Sequence, residues 1–269
     1  MIASLEGALA RLMFQPAHDL VFAANFVKIN AMQQRVFLFL LLGLLWAWPA
    51  GADCGLAVQY GQIEARKAAS GYILAAPHGL FDKYTDQIAG ALCQQLGWNC
   101  LIARGQRRAR HPINVNRPTE GVHLSSDQEQ HTQRARQVYA CYRETLHQLK
   151  TSHFRLYVEL HGNARSESQH QIEIATPGLS LLQKQQVAEI FSRALQQQGL
   201  SPRLRVAVQG LEKIYFTHGS ARKFGVFAEM RPVLALEIPR WVRQEPAARK
   251  SLIAALAQGF HEMEQAGVF

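Results

Sequence analysis

Short apolar runs alternate along this chain with longer stretches in which apolar positions recur at helical spacing. The runs at 71–76, 100–103, 154–160, 171–175, 204–208, 226–229 and 233–238 have the length and residue types of buried strands. Between them, 85–96 places Ile88, Ala89, Ala91, Leu92 and Leu96 on one side of a helix. Residues 127–149 do the same with Val138, Cys141, Tyr142, Leu146 and Leu149, and 181–198 with Val187, Ile190, Phe191 and Leu195. A last helix is predicted over 252–265. Strands that alternate with helices imply an α/β sheet covered on both faces. No internal repeat, low-complexity tract or linker interrupts 53–269, so one domain is expected there.

The beginning of the chain reads differently. Residues 36–48 form an apolar run with Arg35 before it and Pro49-Ala50-Gly51-Ala52 after it. This is the layout of a signal peptide: a basic start, an apolar middle and a small-residue cleavage site. The run is short for a membrane span, which needs about 20 apolar residues. Met32 begins a compact signal of 32–52. Residues 1–31 are then expected to be a non-native extension, the alternative being a type II anchor with a short tail. Asp53 before Cys54 argues against a lipobox. Cleavage after Ala52 predicts a periplasmic or secreted protein. Cys54, Cys93, Cys100 and Cys141 all follow that point, are even in number and fit no zinc finger, so disulfides are expected. Three pairings are possible. A Cys93–Cys100 bridge across a helix-to-strand turn is one feasible local link.

The net charge is +9. Residues 1–52 hold Arg11, Lys28 and Arg35 against Glu6 and Asp19, which leaves +8 on the exported part. That balance favours acidic partners. The densest cluster is Arg104, Arg107, Arg108, Arg110 and His111; no aromatic residue interleaves with it, so nucleic acid is not an expected partner. A solvated loop explains the cluster equally well.

Three motifs carry candidate chemistry: Pro77-His78-Gly79-Leu80-Phe81-Asp82, Glu159-Leu160-His161-Gly162-Asn163 and Leu234-Ala235-Leu236-Glu237-Ile238. Each follows or closes a strand-like run, and ligands of open α/β sheets bind beyond the carboxyl ends of strands. His78, His161 and Asp82 offer nitrogen and oxygen donors of the kind zinc takes, although Asp82 also fits a helix N-cap. Glu159 lies two residues before His161, on the same strand face, where it can orient a metal-bound imidazole. Glu237 interrupts an apolar run, which is costly unless the carboxylate is paired or functional. Burial would raise its pKa and suit it to proton transfer; the alternative is a buried pair with Arg240 or another Arg. A further stretch, Asn114-Val115-Asn116-Arg117-Pro118, offers a planar guanidinium for a substrate carboxylate.

The order Pro-His-Gly, Asn-Val-Asn-Arg-Pro, Glu-Leu-His-Gly and Leu-Glu-Ile-Pro-Arg resembles the N-formylglutamate amidohydrolase-like proteins of the zinc carboxypeptidase-like group, over roughly 70–242. The resemblance implies a three-layer α/β/α fold of phosphorylase/hydrolase type with a mixed, mostly parallel sheet. It implies one zinc held by His78, Asp82 and His161, with Glu159 behind His161, and Glu237 as general base. Arg117, Asn116 and Asn163 would contact the substrate. The implied reaction is hydrolysis of an amide next to a carboxylate in an N-acyl amino acid, a peptide or a cell-wall fragment. Phe81 stands where zinc carboxypeptidases carry Glu, which makes Asp82 the carboxylate donor by one residue. A binding module of the same fold that holds an acidic ligand without turnover is the alternative. A serine hydrolase is disfavoured because no Gly-x-Ser-x-Gly elbow is present. A membrane contact is expected only if the signal segment stays uncleaved.

Overall fold

The computed structural model describes residues 54–122, 124–125 and 127–269. The expected extension over 1–31 and the signal segment over 32–52 lie outside the described residues. A seven-stranded sheet organises the rest. Its strands are β1 (Gln62–Arg66), β2 (Tyr72–Ala76), β3 (Asn99–Arg104), β7 (Leu156–Asn163), β8 (Gln171–Ala175), β9 (Arg205–Val208) and β10 (Val233–Pro239), in the spatial order β1-β3-β2-β7-β10-β8-β9. β3, β2, β7 and β10 run parallel, as do β8 and β9; β1 pairs antiparallel with β3, and β8 antiparallel with β10. Three short antiparallel strands, β4 (Arg107–Arg108), β5 (His111–Asn114) and β6 (Thr119–Glu120), form a separate flap.

Strand alternation divides the sheet into two unlike faces. Leu156, Val158 and Leu160 of β7 and Leu234, Leu236 and Ile238 of β10 point to one side. That side is covered by α2 (Thr85–Leu96), α4 (Leu181–Gln197) and α7 (Pro246–Gln265). Trp98 stacks on Tyr72 at 4.6 Å and leans on Phe260 at 5.1 Å. α4 and α7 approach so closely that a Cβ on Gly259 would lie 2.5 Å from the Phe191 ring. The other side carries Tyr157, Val233 and Ala235 beneath α1 (Gly55–Tyr60), α3 (Gln133–Leu149) and α5 (Gly219–Phe224). Helices thus cover both faces, and the architecture is the mixed, mostly parallel three-layer α/β/α arrangement.

Several boundaries differ from the expectation for physical reasons. The run over 226–229 is not a strand: Val226–Ala228 is a 3₁₀ turn laid over the sheet, with Val226 N–H donating to Asn116 O at 3.0 Å. Val226 and Phe227 are buried there without any strand partner. A four-residue apolar run does not by itself distinguish these cases. α3 starts at Gln133 rather than 127, because Thr132 caps it by accepting from Ala135 N–H at 3.1 Å. α7 starts earlier than predicted, with Pro246 at its first position, where a missing N–H is harmless. A five-residue helix, α6 (Arg240–Gln244), precedes it. β1 went unforeseen because it is an exposed edge strand without apolar alternation.

Two disulfides close the cysteine pairing: Cys54 with Cys141, and Cys93 with Cys100. The first ties the start of α1 to the middle of α3. The second joins α2 to β3.

Candidate active site

β2, β7 and β10 are adjacent and parallel, so their carboxyl ends open on one edge of the sheet. His78 follows β2 by two residues, while His161 and Glu237 sit near the ends of β7 and β10 and are direct neighbours in register. After β2 the chain makes an open turn in which Asp82 N–H donates to His78 O at 2.8 Å, bringing the two side chains to one side. Gly79 permits the bend, since a Cβ there would lie 2.7 Å from Asp86 Cβ. Asp82 does not cap α2. The N-cap position belongs to Tyr84, and the Asp82 carboxylate turns inward.

Three donors converge as a result. His78 Nδ1 lies 3.4 Å and His161 Nδ1 3.6 Å from Asp82 Oδ2. One donor atom of each residue lies within 4.8 Å of the others, and all three side chains are buried. These separations are long for hydrogen bonds. Two ligands of one tetrahedral zinc, each at about 2.0–2.1 Å, stand roughly 3.3 Å apart. The donor set fits such an ion in number and type, and the two separations from Asp82 are close to that spacing. His161 Nδ1 is free for it because Nε2 is already taken: it lies 2.8 Å from Glu159 Oε2. Glu159 is fully buried and also accepts from Asn116 Nδ2 at 2.8 Å and Tyr157 OH at 2.7 Å. The Tyr142 hydroxyl lies 3.1 Å from that of Tyr157 and extends the network inward. Glu159 therefore orients His161 from behind.

Electrostatics follow from this crowding. Burial works against a charge on His161, but the neighbouring carboxylates of Asp82 and Glu159 outweigh it and raise its pKa to about 10. Asp82 is also penalised by burial, yet the two imidazoles hold it well below the usual carboxylate range. His78 is pushed the other way, well down, by burial and then by the Arg107 charge. Glu237 is pushed up to about 8 by burial, with His161 opposing and Asp82 and Glu173 adding. A cation bound among these groups would pull Glu237 back down. The carboxylate of Glu237 does not pair with Arg240; it faces His218, with Nε2 3.4 Å from Oε1. On the far side of β10, Glu173 is buried and accepts from Tyr215 N–H at 2.8 Å and Phe216 N–H at 2.9 Å, pinning the wall of the cleft.

The remaining expected residues are close by but otherwise engaged. Arg117 grips Glu129 with Nε and Nη2, the shortest contact being 2.6 Å, and reaches Asn116 Oδ1 with Nη1 at 2.9 Å. Its fork is already filled, so it does not offer a substrate carboxylate the open clamp that was expected. Asn116 is spent between Arg117 and Glu159. Asn163 uses Oδ1 to accept from Arg165 N–H at 3.1 Å, leaving Nδ2 buried and unpartnered among the described residues. Two residues that sequence reasoning missed stand in the centre. Arg107, from the basic cluster, lies half-buried over the Phe81 ring and places Nη1 3.1 Å from His78 Nδ1. His218 comes from a polar loop, and only the Thr-His-Gly turn before a short helix could have marked it. Asp82, Arg107, His161, His218 and Glu237 line a cleft of about 1230 Å³, together with Phe81, Leu124, Arg165, Tyr215 and Phe216. Arg243 braces the floor by donating to the carbonyls of Ile238 and Lys83. A Cβ on Gly162 would lie 2.4 Å from the Arg243 guanidinium carbon.

No family model and no curated protein matches the chain. Solved structures do. A gene product of Agrobacterium tumefaciens aligns with TM-score 0.51 at 10% identity, over 78% of this chain and 99% of its own. The N-formylglutamate amidohydrolase of Ralstonia eutropha JMP134 aligns with TM-score 0.48 at 15% identity, over 76% and 98%. A bacteriophage poly-gamma-glutamate hydrolase aligns with TM-score 0.45 at 13% identity, over 78% and 91%. At such identities the likeness is one of fold.

Proposed function

We propose that the protein is an exported zinc-dependent hydrolase that cleaves an amide or peptide bond next to a carboxylate. The observation that carries this reading is the convergence of His78, Asp82 and His161 within 4.8 Å, beside a cleft lined by Asp82, His161 and a buried Glu237 that has no hydrogen bond among the described residues. Zinc held there supplies Lewis acidity, making water acidic near neutral pH and polarising a carbonyl. Glu237 takes the proton of the attacking water and delivers it to the nitrogen of the departing amine, as the C–N bond breaks and a C–O bond forms. Arg107, displaced from His78 Nδ1 once that nitrogen holds a metal, would turn its N–H groups to the oxygen on which charge develops. Glu159, held by Tyr157 and Asn116, keeps the His161 ring in one tautomer and orientation. Lys83 and Arg240 line the cleft with no ion pair among the described residues, and they suit a carboxylate-bearing N-acyl amino acid, peptide or cell-wall fragment. The two disulfides support an oxidising, exported location. No helix among the described residues is long and apolar enough to cross a membrane.

One observation favours a second reading. Arg107 Nη1 approaches the His78 nitrogen that a metal would use, and a dication and a guanidinium cannot share it. A metal-free module would retain this contact and use the cleft to bind an acidic ligand. Metal analysis of residues 53–269 beside His78→Ala and His161→Ala decides between the two. About one zinc per chain, lost in both variants, with release of amine from N-acetyl-L-amino acids or oligopeptides that stops in Glu237→Gln, supports the hydrolase. Absence of bound metal even after zinc addition refutes it.

A further inference from the structure

His218 has three features that nothing in the fold requires. Its backbone is left-handed, with φ 55° and ψ 41°, at the first turn of α5, although its side chain makes no capping hydrogen bond there. A residue with a Cβ is disfavoured in that region, and Gly would occupy it without strain. Such outliers persist where the surroundings over-determine them, most often at functional sites. The imidazole is also buried, packed 4.7 Å from the His161 ring and 5.7 Å from Phe227. Finally, its Nε2 makes no hydrogen bond among the described residues, and the acidic atom it faces is Glu237 Oε1, 3.4 Å away. Buried polar atoms left unpaired in a native fold need a reason. Glu237 in turn has no hydrogen bond among the described residues to fix the direction of its carboxylate.

We infer that His218 is the positioning residue of Glu237: its Nε2–H is aimed at Oε1, in a contact that is already present but long in the empty cleft and shortens when the cleft is occupied, turning the other carboxylate oxygen toward the metal trio. Hydrogen bonds of catalytic groups are often long and poorly aligned in the empty site and close only around a substrate. The strained backbone is what aims the ring. Residue 218 leaves the wall at Tyr215–Phe216, which Glu173 anchors, and turns at once into α5. An extended residue there would carry the ring along the wall rather than across to β10. The inference rests on the hydrolase reading for its kinetic part only.

The test uses the zinc-loaded protein with N-acetyl-L-amino acids as the probe, comparing His218→Gly and His218→Gln. Gly accepts the left-handed backbone, so its melting temperature stays at or above that of the parent and its zinc content is unchanged. Its kcat falls 10–100-fold with KM within twofold, in line with loss of an acid–base contact. Gln restores an N–H at the reach of Nε2 and recovers most of kcat. Unchanged kcat in the Gly variant overturns the role, and so does a fall that tracks lost zinc. A second readout needs no turnover. In metal-free protein with ¹⁵N-labelled histidine, a slowly exchanging, downfield ring N–H absent from His218→Gln is expected, and it should vanish in Glu237→Ala. If that proton persists in Glu237→Ala, or is never seen, His218 does not hold Glu237. If the wild type hydrolyses nothing, the hydrolase reading fails, and the ring proton alone decides whether the pair exists.

Discussion

Glu237→Gln should make the metal-free protein more stable, and increasingly so as pH rises. A carboxyl with an ordinary pKa near 4.5 in the unfolded chain is raised to about 8 by burial in the fold. The folded protein therefore holds this proton over a range where the unfolded chain has released it. A group raised in this way contributes fully below pH 4.5, and its contribution is lost as pH climbs to about 8. Gln has the same shape and never ionises. At about 1.4 kcal/mol per pKa unit, the variant gains about 1 kcal/mol over the parent at pH 5, about 3 at pH 7 and about 5 above pH 8.5 as an upper bound. Urea unfolding of both proteins after chelator dialysis, with disulfides intact, measures the difference. Titrating groups remote from Glu237 cancel; His161, whose pKa the Glu237 charge helps to raise, does not, and its response reduces the gap below these figures. Zinc should shrink the gap, because a dication near Glu237 favours its ionised form. A gap that is flat with pH, or a Gln variant that is less stable at pH 8.5, would refute the reasoning. Either result would mean that Glu237 is already ionised and paired with His161 or Arg107 instead of stranded by burial.

Two further expectations come from parts of the fold away from the acid. Glu159→Gln exchanges an acceptor of three hydrogen bonds for a group that presents an N–H to one of them; zinc affinity measured by chelator competition should drop about 10–100-fold. Equal affinity in the two proteins would show that His161 needs no support. Replacing Cys54 and Cys141 together by Ser releases a link between residues 87 apart in sequence, and thermal unfolding should register a loss of about 2–4 kcal/mol. A loss near zero would mean that α1 detaches from α3 in the native protein without consequence.

The strands and helices that carry the core were legible because burial writes a period into the sequence. Residues 85–96 and 181–197 repeat at helical spacing, and the β7 and β10 runs are too apolar to be anything but interior. The clustering of His78, Asp82 and His161 beside Glu237 was legible for the same reason in reverse: each is a polar interruption at or just past the end of such a run. Arg107 and His218 were not, because they come from polar loops that look like solvated surface. Only the folded flap and the turn into α5 bring them inward. Arg117 shows the opposite failure. Its residue type fits a carboxylate clamp, but Glu129, twelve residues on, takes the fork first. Edge strand β1 was invisible because Glu64 and Arg66 face water, so no alternation records it.

The two-faced character of β7 makes the protein its own proofreader. Tyr157, Glu159 and His161 alternate with Leu156, Val158 and Leu160 along one strand. A slip of one residue against β2 or β10 would drive a carboxylate and an imidazole into the hydrocarbon layer under α2 and α7, and lift three aliphatic side chains into the polar network. Aliphatic packing and donor placement are therefore inspected by the same alignment, and a mispaired sheet cannot survive with one right and the other wrong. Molecules that are folded at all carry a correctly assembled centre. In a folded molecule Glu159 and His161 therefore stand on the polar face through the same register that packs Leu156, Val158 and Leu160.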